Sequence, residues 1–427
     1  MGNKNANKKH IIKKNLIDKS FTLCPLINDR ELLIEKKIVS NTISCLGTIK
    51  YKNKDFILLG YDLGKIEIYD SETLESVAED HEEIGMLEYI RYVGQLLDED
   101  FVIVSQTYIR IYAFYSDDLP SNINQGHNFY NIKLLQKIVN PLKNKSDYNN
   151  SKLLFSKAFY FDRNLYREYD IYQRELDKTK TKKNKNYINI YPIDEELIIS
   201  SNKGIFIFET NKINEKKANL INGKSEELNQ FDIDSHFENW KKNQFIFREQ
   251  ITDKDIYDII QVNFQYLAGT IKHYLCLYSM ETYELVTKFE VKISEDCDSV
   301  IFMLKEDILC VAGNDSISLI SIKDFEVILI SLIKKKYKIT EICILPDYNI
   351  LIGMQSNSKI LSTEHIEYFY QYKCFHKVNK LTKNMEYSIL QVSSKLLTKN
   401  YSNITMRCLS DNRLVTIIDT CLIQVWK

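Results

Sequence analysis

Histidine and cysteine are the residue types that most often carry metal or nucleophilic chemistry, and in this chain neither clusters. The seven histidines fall at 10, 81, 127, 236, 273, 365 and 376, none beside a recurrent nucleophile. The nine cysteines (24, 45, 276, 297, 310, 343, 374, 408 and 421) include no Cys-x-x-Cys pair. A zinc site needs Cys or His at short spacings, so no structural metal is expected. Most cysteines sit inside apolar runs, as in Leu275-Cys276-Leu277 and Ile342-Cys343-Ile344. They read as reduced core thiols in an intracellular, cytoplasmic setting. His273 opens a strand-like stretch and reads as packing. Adjacent acids such as Glu82-Glu83 and Asp98-Glu99-Asp100 read as solvated turns, because paired acid/base work needs a geometry that adjacency does not supply. No Walker loop, dinucleotide glycine fingerprint, His-Glu-x-x-His or Gly-x-Ser-x-Gly pattern occurs. No catalytic residue, cofactor site or metal ligand is assigned, and the expectation is a protein that is not an enzyme.

Charge narrows the partners. The 57 basic and 58 acidic residues leave a formal net charge of −1, which excludes a globally basic nucleic-acid binder and a globally acidic solvating chain. The run Lys178-Thr179-Lys180-Thr181-Lys182-Lys183-Asn184-Lys185 lacks the interleaved aromatics that base stacking needs and reads as a solvated loop. No specific nucleic acid is expected. Gly2 is followed by lysines at 4, 8, 9, 13 and 14. An acyl chain on Gly2 plus that basic cluster would give the two signals a peripheral membrane contact requires, although Ala6 stands where the acylation pattern has Ser or Thr. The plainer reading of residues 1–28 is a disordered basic tail. No apolar run reaches the 18 or so residues of a membrane-spanning helix.

These sparse groups must be positioned by something larger. At 427 residues the chain exceeds the usual size of a single core, and a domain built from repeats is the standard exception. Apolar residues at 44% and charged residues at 27% describe a soluble globular protein. With 5 Pro and 12 Gly, collagen-like and Pro/Gly-rich classes are excluded. A short pattern, apolar-x-apolar-aromatic, recurs as Ile66-Glu67-Ile68-Tyr69, Ile109-Arg110-Ile111-Tyr112, Ile205-Phe206-Ile207-Phe208, Leu275-Cys276-Leu277-Tyr278 and Ile423-Gln424-Val425-Trp426. Ile317-Ser318-Leu319-Ile320 and Ser358-Lys359-Ile360-Leu361 fit the frame less well. Alternation at period two marks a strand whose two faces meet different neighbours. The step is 43 residues from Tyr69 to Tyr112, 42 from Tyr278 to Ile320 and 41 from Ile320 to Leu361. A four-stranded propeller blade repeats every 40–45 residues or so. The 96-residue step from 112 to 208 has room for an additional, divergent blade.

Residues 42–77 read as four short strands, Thr42–Ile49, Asp55–Gly60, Lys65–Tyr69 and Glu75–Val77, with Gly60-x-Asp62-x-Gly64 supplying a tight turn. Asn202-Lys203-Gly204 and Gly313-Asn314-Asp315 occupy equivalent turns. On these residues the chain resembles the WD-repeat (WD40) β-propeller family, over about 30–427. Repeats of that family end in Trp-Asp. Tyr69-Asp70 stands at that place, and only Trp426-Lys427 keeps the Trp. The repeat anchors are accordingly Tyr69, Asp70, Tyr112, Phe208, Tyr278 and Trp426. The resemblance gives His81, beside Asp80, a structural hydrogen-bonding role.

The expected fold is all-β: a seven-bladed β-propeller over 29–427, with eight blades as the alternative and inserts near 115–185, 212–252 and 376–401. The last copy ends at residue 427, so its blade lacks an outer strand, and Glu31–Val39 is expected to fill that place. The function implied by the resemblance is a scaffold or adaptor for protein–protein interaction within a multiprotein complex. The alternatives are a membrane-apposed adaptor acylated at Gly2, or a substrate receptor of a ubiquitin ligase. The latter is disfavoured because no separate adaptor-binding domain precedes the propeller. Cytoskeletal, ciliary and membrane-associated assemblies are equally compatible with the composition.

Overall fold

The computed structural model describes residues 26–39, 41–80, 90–96, 100–105, 107–117, 129–139, 155–162, 195–201, 204–210, 245–252, 254, 256, 258–262, 265–291, 299–305, 307–313, 316–332, 337–345, 349–356, 366–378, 385–399 and 404–427. They form seven four-stranded antiparallel sheets and one short 3-10 turn, Ile27–Asp29. Blade 1 contains β2 (Ile43–Tyr51), β3 (Lys54–Tyr61), β4 (Ile66–Asp70) and β5 (Ser76–Asp80). Blade 2 contains β6 (Ile90–Gln95), β7 (Asp100–Ser105), β8 (Tyr108–Asp117) and β9 (Phe129–Val139). Blade 3 contains β10 (Phe155–Asp162), β11 (Glu195–Ser201), β12 (Gly204–Thr210) and β13 (Phe245–Thr252). Blade 4 contains β14 (Ile259–Gln261), β15 (Tyr266–Ile271), β16 (Tyr274–Ser279) and β17 (Leu285–Glu290). Blade 5 contains β18 (Val300–Lys305), β19 (Ile308–Ala312), β20 (Ser316–Ser321) and β21 (Glu326–Leu332). Blade 6 contains β22 (Tyr337–Ile344), β23 (Ile350–Ser356), β24 (Ile366–Val378) and β25 (Met385–Lys399). Blade 7 takes β26 (Ile404–Cys408), β27 (Leu414–Ile418) and β28 (Leu422–Trp426) from the end of the chain and β1 (Leu32–Lys37) from its beginning.

That last sheet closes the ring. β1 lies antiparallel to β28, with Leu32 opposite Trp426 and Lys37 opposite Leu422. The junction is reinforced on the approach to β1. Ile27 is buried among Cys343, Leu351, Met406 and Leu414 of blades 6 and 7, and its N–H donates to Gln371 Oε1 at 2.8 Å. The Arg30 guanidinium donates to the Asn412 carbonyl at 2.7 Å. Ile27, within the stretch 1–28 read from sequence as a disordered tail, is therefore part of the core. Innermost strands adjoin one another around the ring, β22 beside β26, β26 beside β2, β2 beside β6 and β6 beside β10.

The core lies between blades, in apolar layers that join each sheet to the next. Where their side chains are described, the second and third strands are largely buried on both faces, so they read as near-continuous apolar runs such as Phe56-Ile57-Leu58-Leu59. The outermost strands alternate. This difference follows from position: a middle strand is sandwiched by two neighbouring blades, and an outer strand faces water on one side.

The blades number seven, as expected, and the long step between Tyr112 and Phe208 is filled by β9, β10 and β11, with no eighth blade among the described residues. The intervals read as inserts hold blade strands: β9 and β10 lie inside 115–185, β13 inside 212–252, and β25 inside 376–401. The copy at 358–361 lies outside the described residues, and the third strand of blade 6 is β24, further along the chain. A 41-residue step pointed to Leu361, but the long β24–β25 hairpin displaces the blade from the regular period.

Candidate functional site

Each repeat anchor faces the blade that precedes it. Tyr69 packs with Ile423 and Val425 of blade 7, Tyr112 with Ile66 and Ile68 of blade 1, Phe208 with Val102 and Leu135 of blade 2, and Tyr278 with Ile205 and Ile207 of blade 3. Ile320 packs with Leu275 and Leu277 of blade 4, and Trp426 packs against the Cys343–Leu351 cluster of blade 6. Trp426 also donates its indole N–H to Thr416 Oγ1 at 3.1 Å.

A backbone irregularity marks the same position in every blade. The pairing of third and fourth strands slips by one residue between Ile68 and Tyr69, Ile111 and Tyr112, Ile207 and Phe208, Leu277 and Tyr278, and Leu319 and Ile320. In blade 6 the slip falls between Gln371 and Tyr372, which identifies Tyr372 as the anchor missed in the sequence. In blade 7 it falls opposite Val425 and Trp426, where β1 passes from Ile34 to Leu32 and Leu33 is the extra residue. A β-bulge sharpens the right-handed twist of its strand, and here it turns each outer strand at the point where the anchor leaves the sheet. The amino-terminal strand thus reproduces the fourth strand of the other blades down to its bulge.

The x residue of the pattern is buried in these blades, although in three of them it is a polar or charged side chain: Glu67, Arg110 and Gln424. Glu67 accepts hydrogen bonds from Tyr61 Oη, from Tyr69 Oη at 2.6 Å and from Lys65 Nζ at 2.5 Å. Burial acts to raise its carboxyl pKa, but Lys65 and the two phenols outweigh it and hold the group below the usual carboxylate range. Burial and the Glu67 carboxylate push both tyrosines up, so they remain donors. Arg110, buried, reaches Tyr112 Oη at 3.3 Å and the Gly64 carbonyl at 3.4 Å, while Tyr112 donates to Asp80 Oδ2 at 2.8 Å. Gln424 donates to Glu35 Oε2 at 3.0 Å, tying the third strand of blade 7 to β1.

Asp70 organises the turn that follows its strand. Its Oδ1 accepts from the N–H groups of Glu72 at 2.8 Å and Thr73 at 3.3 Å, and Lys54 pairs with its other oxygen at 2.6 Å. Burial opposes the charge, yet Lys54 and the two amides keep the Asp70 pKa low. Ser279 does the same work one half-ring away, its hydroxyl accepting from Glu281 and Thr282 at 3.2 and 3.3 Å. In both turns the residue four positions on, Leu74 or Tyr283, adopts positive φ (53° and 57°). Ser321 and Phe325 (φ 53°) repeat the arrangement in blade 5.

On the innermost strands, Arg407 of blade 7 meets Glu341 of blade 6 at 3.0 Å, with 42% and 20% of their side-chain surfaces exposed. Arg407 and Arg91 both lie within electrostatic reach of Cys45. Burial nevertheless pushes the Cys45 thiol up to about 12 and that of Cys343 up to about 11, so both stay protonated and unreactive at neutral pH. Among the described residues no group of three His, Cys, Asp or Glu is placed to hold a metal, and no helix is long and apolar enough to cross a membrane. His273 is exposed, Gly2 and His81 lie outside the described residues, and the carboxylate beside His81, Asp80, serves Tyr112.

The fold and this repeated seam define a seven-bladed β-propeller. No family model and no curated protein matches the chain. Among solved structures, the chain is similar to a chain from the crystal structure of a mitotic checkpoint complex, with a TM-score of 0.51 and 9% identity, covering 96% of this chain and 98% of that one.

Proposed function

We propose that the protein is a non-enzymatic scaffold of WD-repeat type that holds protein partners together within a multiprotein complex. The observation that carries this reading is where the polar residues of the repeat are engaged. Arg110 bonds across a blade seam, and Glu67 and Gln424 bond to neighbouring residues of their own blades. Asp258, also buried, accepts from the N–H groups of Ile259 and Ile301 at 2.8 and 2.7 Å, linking blades 4 and 5. Chemistry-capable groups therefore fix the shape of the ring. A rigid ring presents loops and outer strands to a partner with little ordering cost on its own side. The structural neighbour, a chain of nearly equal length taken from a complex, fits the same use. The thiols of Cys45, Cys276, Cys343 and Cys421, which form no disulfide among the described residues, support a reducing compartment such as the cytoplasm.

The test is the state of the native protein. Chain tagged at its own expression level should elute in an assembly larger than the monomer at physiological salt, with cross-links from the propeller to other proteins. A chain that runs alone and turns over a substrate overturns the proposal.

A further inference from the structure

The outer strand of each blade presents an open backbone edge, the usual template for unwanted strand pairing, and natural sheets guard such edges with charge. Six of the seven outer strands follow this rule, with Lys36, Glu79, Lys133, Arg248, Lys288 and Lys395 placed within them. The seventh, β21 of blade 5, carries a charge only at its first residue, Glu326. After Glu326 it reads Val327-Ile328-Leu329-Ile330-Ser331-Leu332 with no charge. Ile330 is 37% exposed and Leu332 65%, and beyond the bulge the two share one side of the strand. Phe325, 43% exposed, extends the apolar surface toward Tyr266 of blade 4, the rings meeting edge to face at 5.9 Å. Among the described residues, only β20 pairs with β21.

We propose that the edge of β21 takes up an extended segment of a partner protein as a fifth strand of blade 5, with apolar residues at alternate positions against Ile330 and Leu332. This deepens the scaffold reading and rests on it. Main-chain hydrogen bonds supply affinity in such strand addition, and alternate side chains supply specificity. A second copy of this chain fits the edge poorly. Two outer rims meeting edge to edge touch along about 20 Å of strand and then curve apart, well short of the roughly 1,200 Å² that stable interfaces bury. Antiparallel self-pairing centred on Leu329 would also set each Glu326 carboxylate against Leu332, the most exposed apolar residue of the strand. A flexible segment avoids both problems, since it can follow the edge and place an apolar residue where self-pairing places a charge.

The probe is a blocked, fluorescent seven-residue peptide of alternating Val and Thr, titrated into the full-length protein by anisotropy with amide hydrogen exchange read alongside. The expected result is saturable binding and at least tenfold slower exchange across Val327–Leu332. Leu332→Lys should weaken binding at least tenfold with an unchanged melting temperature, since that side chain already stands in water. N-methylation of alternate peptide amides on the pairing edge should abolish it. Leu285→Lys on β17, an exposed leucine on the outer strand of blade 4, should leave binding unchanged. No protection at millimolar peptide overturns the proposal, and so does equal weakening by Leu285→Lys. Concentration-dependent dimers lost in Leu332→Lys would assign the edge to a second copy and overturn it too. A chain that is solitary in its native setting fails the scaffold reading whatever the peptide does. Absent protection alongside an intact native assembly fails the edge alone.

Discussion

The seam between blades 7 and 1 and the seam between blades 4 and 5 have the same geometry and opposite chemistry. At the first, the x residue is Glu67, with two phenols and a lysine around its carboxylate. Beyond it, Ser410 donates to Asp55 Oδ2 at 2.9 Å, Arg413 reaches the Ser71 carbonyl and hydroxyl at 3.0 and 2.9 Å, and Lys36 reaches the Leu74 carbonyl at 2.9 Å over the Tyr69 ring. At the second, the x residue is Ser318, whose buried hydroxyl finds no partner among the described residues, and the seam is filled by Leu275, Leu277, Leu309, Val311 and Ile320. The polar ties described across it lie toward the inner end of the blades, where Asp258 accepts from Ile301 N–H at 2.7 Å and Thr270 of β15 meets Ser299 at 2.6 Å. Both solutions close-pack, but only directional bonds penalise a slip between blades. The polar solution sits beside the one blade assembled from two distant parts of the chain. Chain connectivity does not set the register of that blade, so side-chain bonds must.

This contrast predicts an order of effects. Deleting residues 1–37 removes β1, exposes the edge of β28 and breaks about five ladder hydrogen bonds at about 1 kcal/mol each. We expect a loss of about 5 kcal/mol in urea unfolding, together with aggregation through the freed edge. Deletion of the outer strand β21 should cost less, because blade 5 remains held on both flanks. Equal losses would erase the distinction. Glu67→Leu comes next. It takes the carboxylate acceptor from two buried phenols and one of the two carboxylates that pair with Lys65, a change of the kind that costs about 3 kcal/mol. The pH dependence follows from the sign of the shift. The Glu67 carboxyl is held below its unfolded value of 4.5, so its contribution is complete above that pH and is lost as pH falls through the lower folded value. The stability gap between wild type and Glu67→Leu should therefore be constant from neutrality to about pH 5 and shrink in acid. A gap that widens on acidification contradicts the ionised, triply bonded carboxylate.

The ring was legible from four-residue patterns because the third strand of a blade is sandwiched and must be apolar at alternate positions, with an anchor at its end. Tyr69, Tyr112, Phe208, Tyr278 and Trp426 stand at structurally equivalent points for that reason, and the closure by Glu31–Val39 followed from counting strands in the last blade. Tyr372 was missed because Gln371 replaces the apolar residue before it, and Gln371 is needed to hold the Ile27 amide, a contact 344 residues distant. Strands β9, β10 and β25 were hidden in intervals whose Lys, Asn and Tyr content resembles loops, since an outer or innermost strand keeps one face in water and shows little apolar excess. The turns after the third strand did leave a signal: Glu72-Thr73-Leu74-Glu75 and Glu281-Thr282-Tyr283-Glu284 are near copies, and Lys323-Asp324-Phe325-Glu326 is a third. A polar cap before, a small polar residue within and a bulky residue at positive φ define that turn. The Ser318 hydroxyl, without a partner among the described residues, was not readable, because it is defined by what its neighbours lack.

The smallest effects test the turn and the apolar seam. Asp70→Ala removes an acceptor for two amides and the partner of Lys54, and should cost about 1–2 kcal/mol. Ser279→Ala removes a neutral acceptor from the equivalent turn in blade 4 and should cost about 0.5 kcal/mol. Its effect should also be independent of pH, whereas that of Asp70→Ala should fade in acid, since Asp70 too is held below its unfolded value. Ser318→Ala is the sharpest counterpart to Glu67→Leu. The hydroxyl lost is buried and without a described partner, so its removal relieves a desolvation cost at the price of one small void. We expect urea stability unchanged or raised by up to about 1 kcal/mol, at the same sequence position in the repeat where blade 1 loses about 3. A loss of more than 1 kcal/mol for Ser318→Ala would mean that the seam between blades 4 and 5 also depends on a directional bond at its third strand, and the two seams would then differ in degree and not in kind.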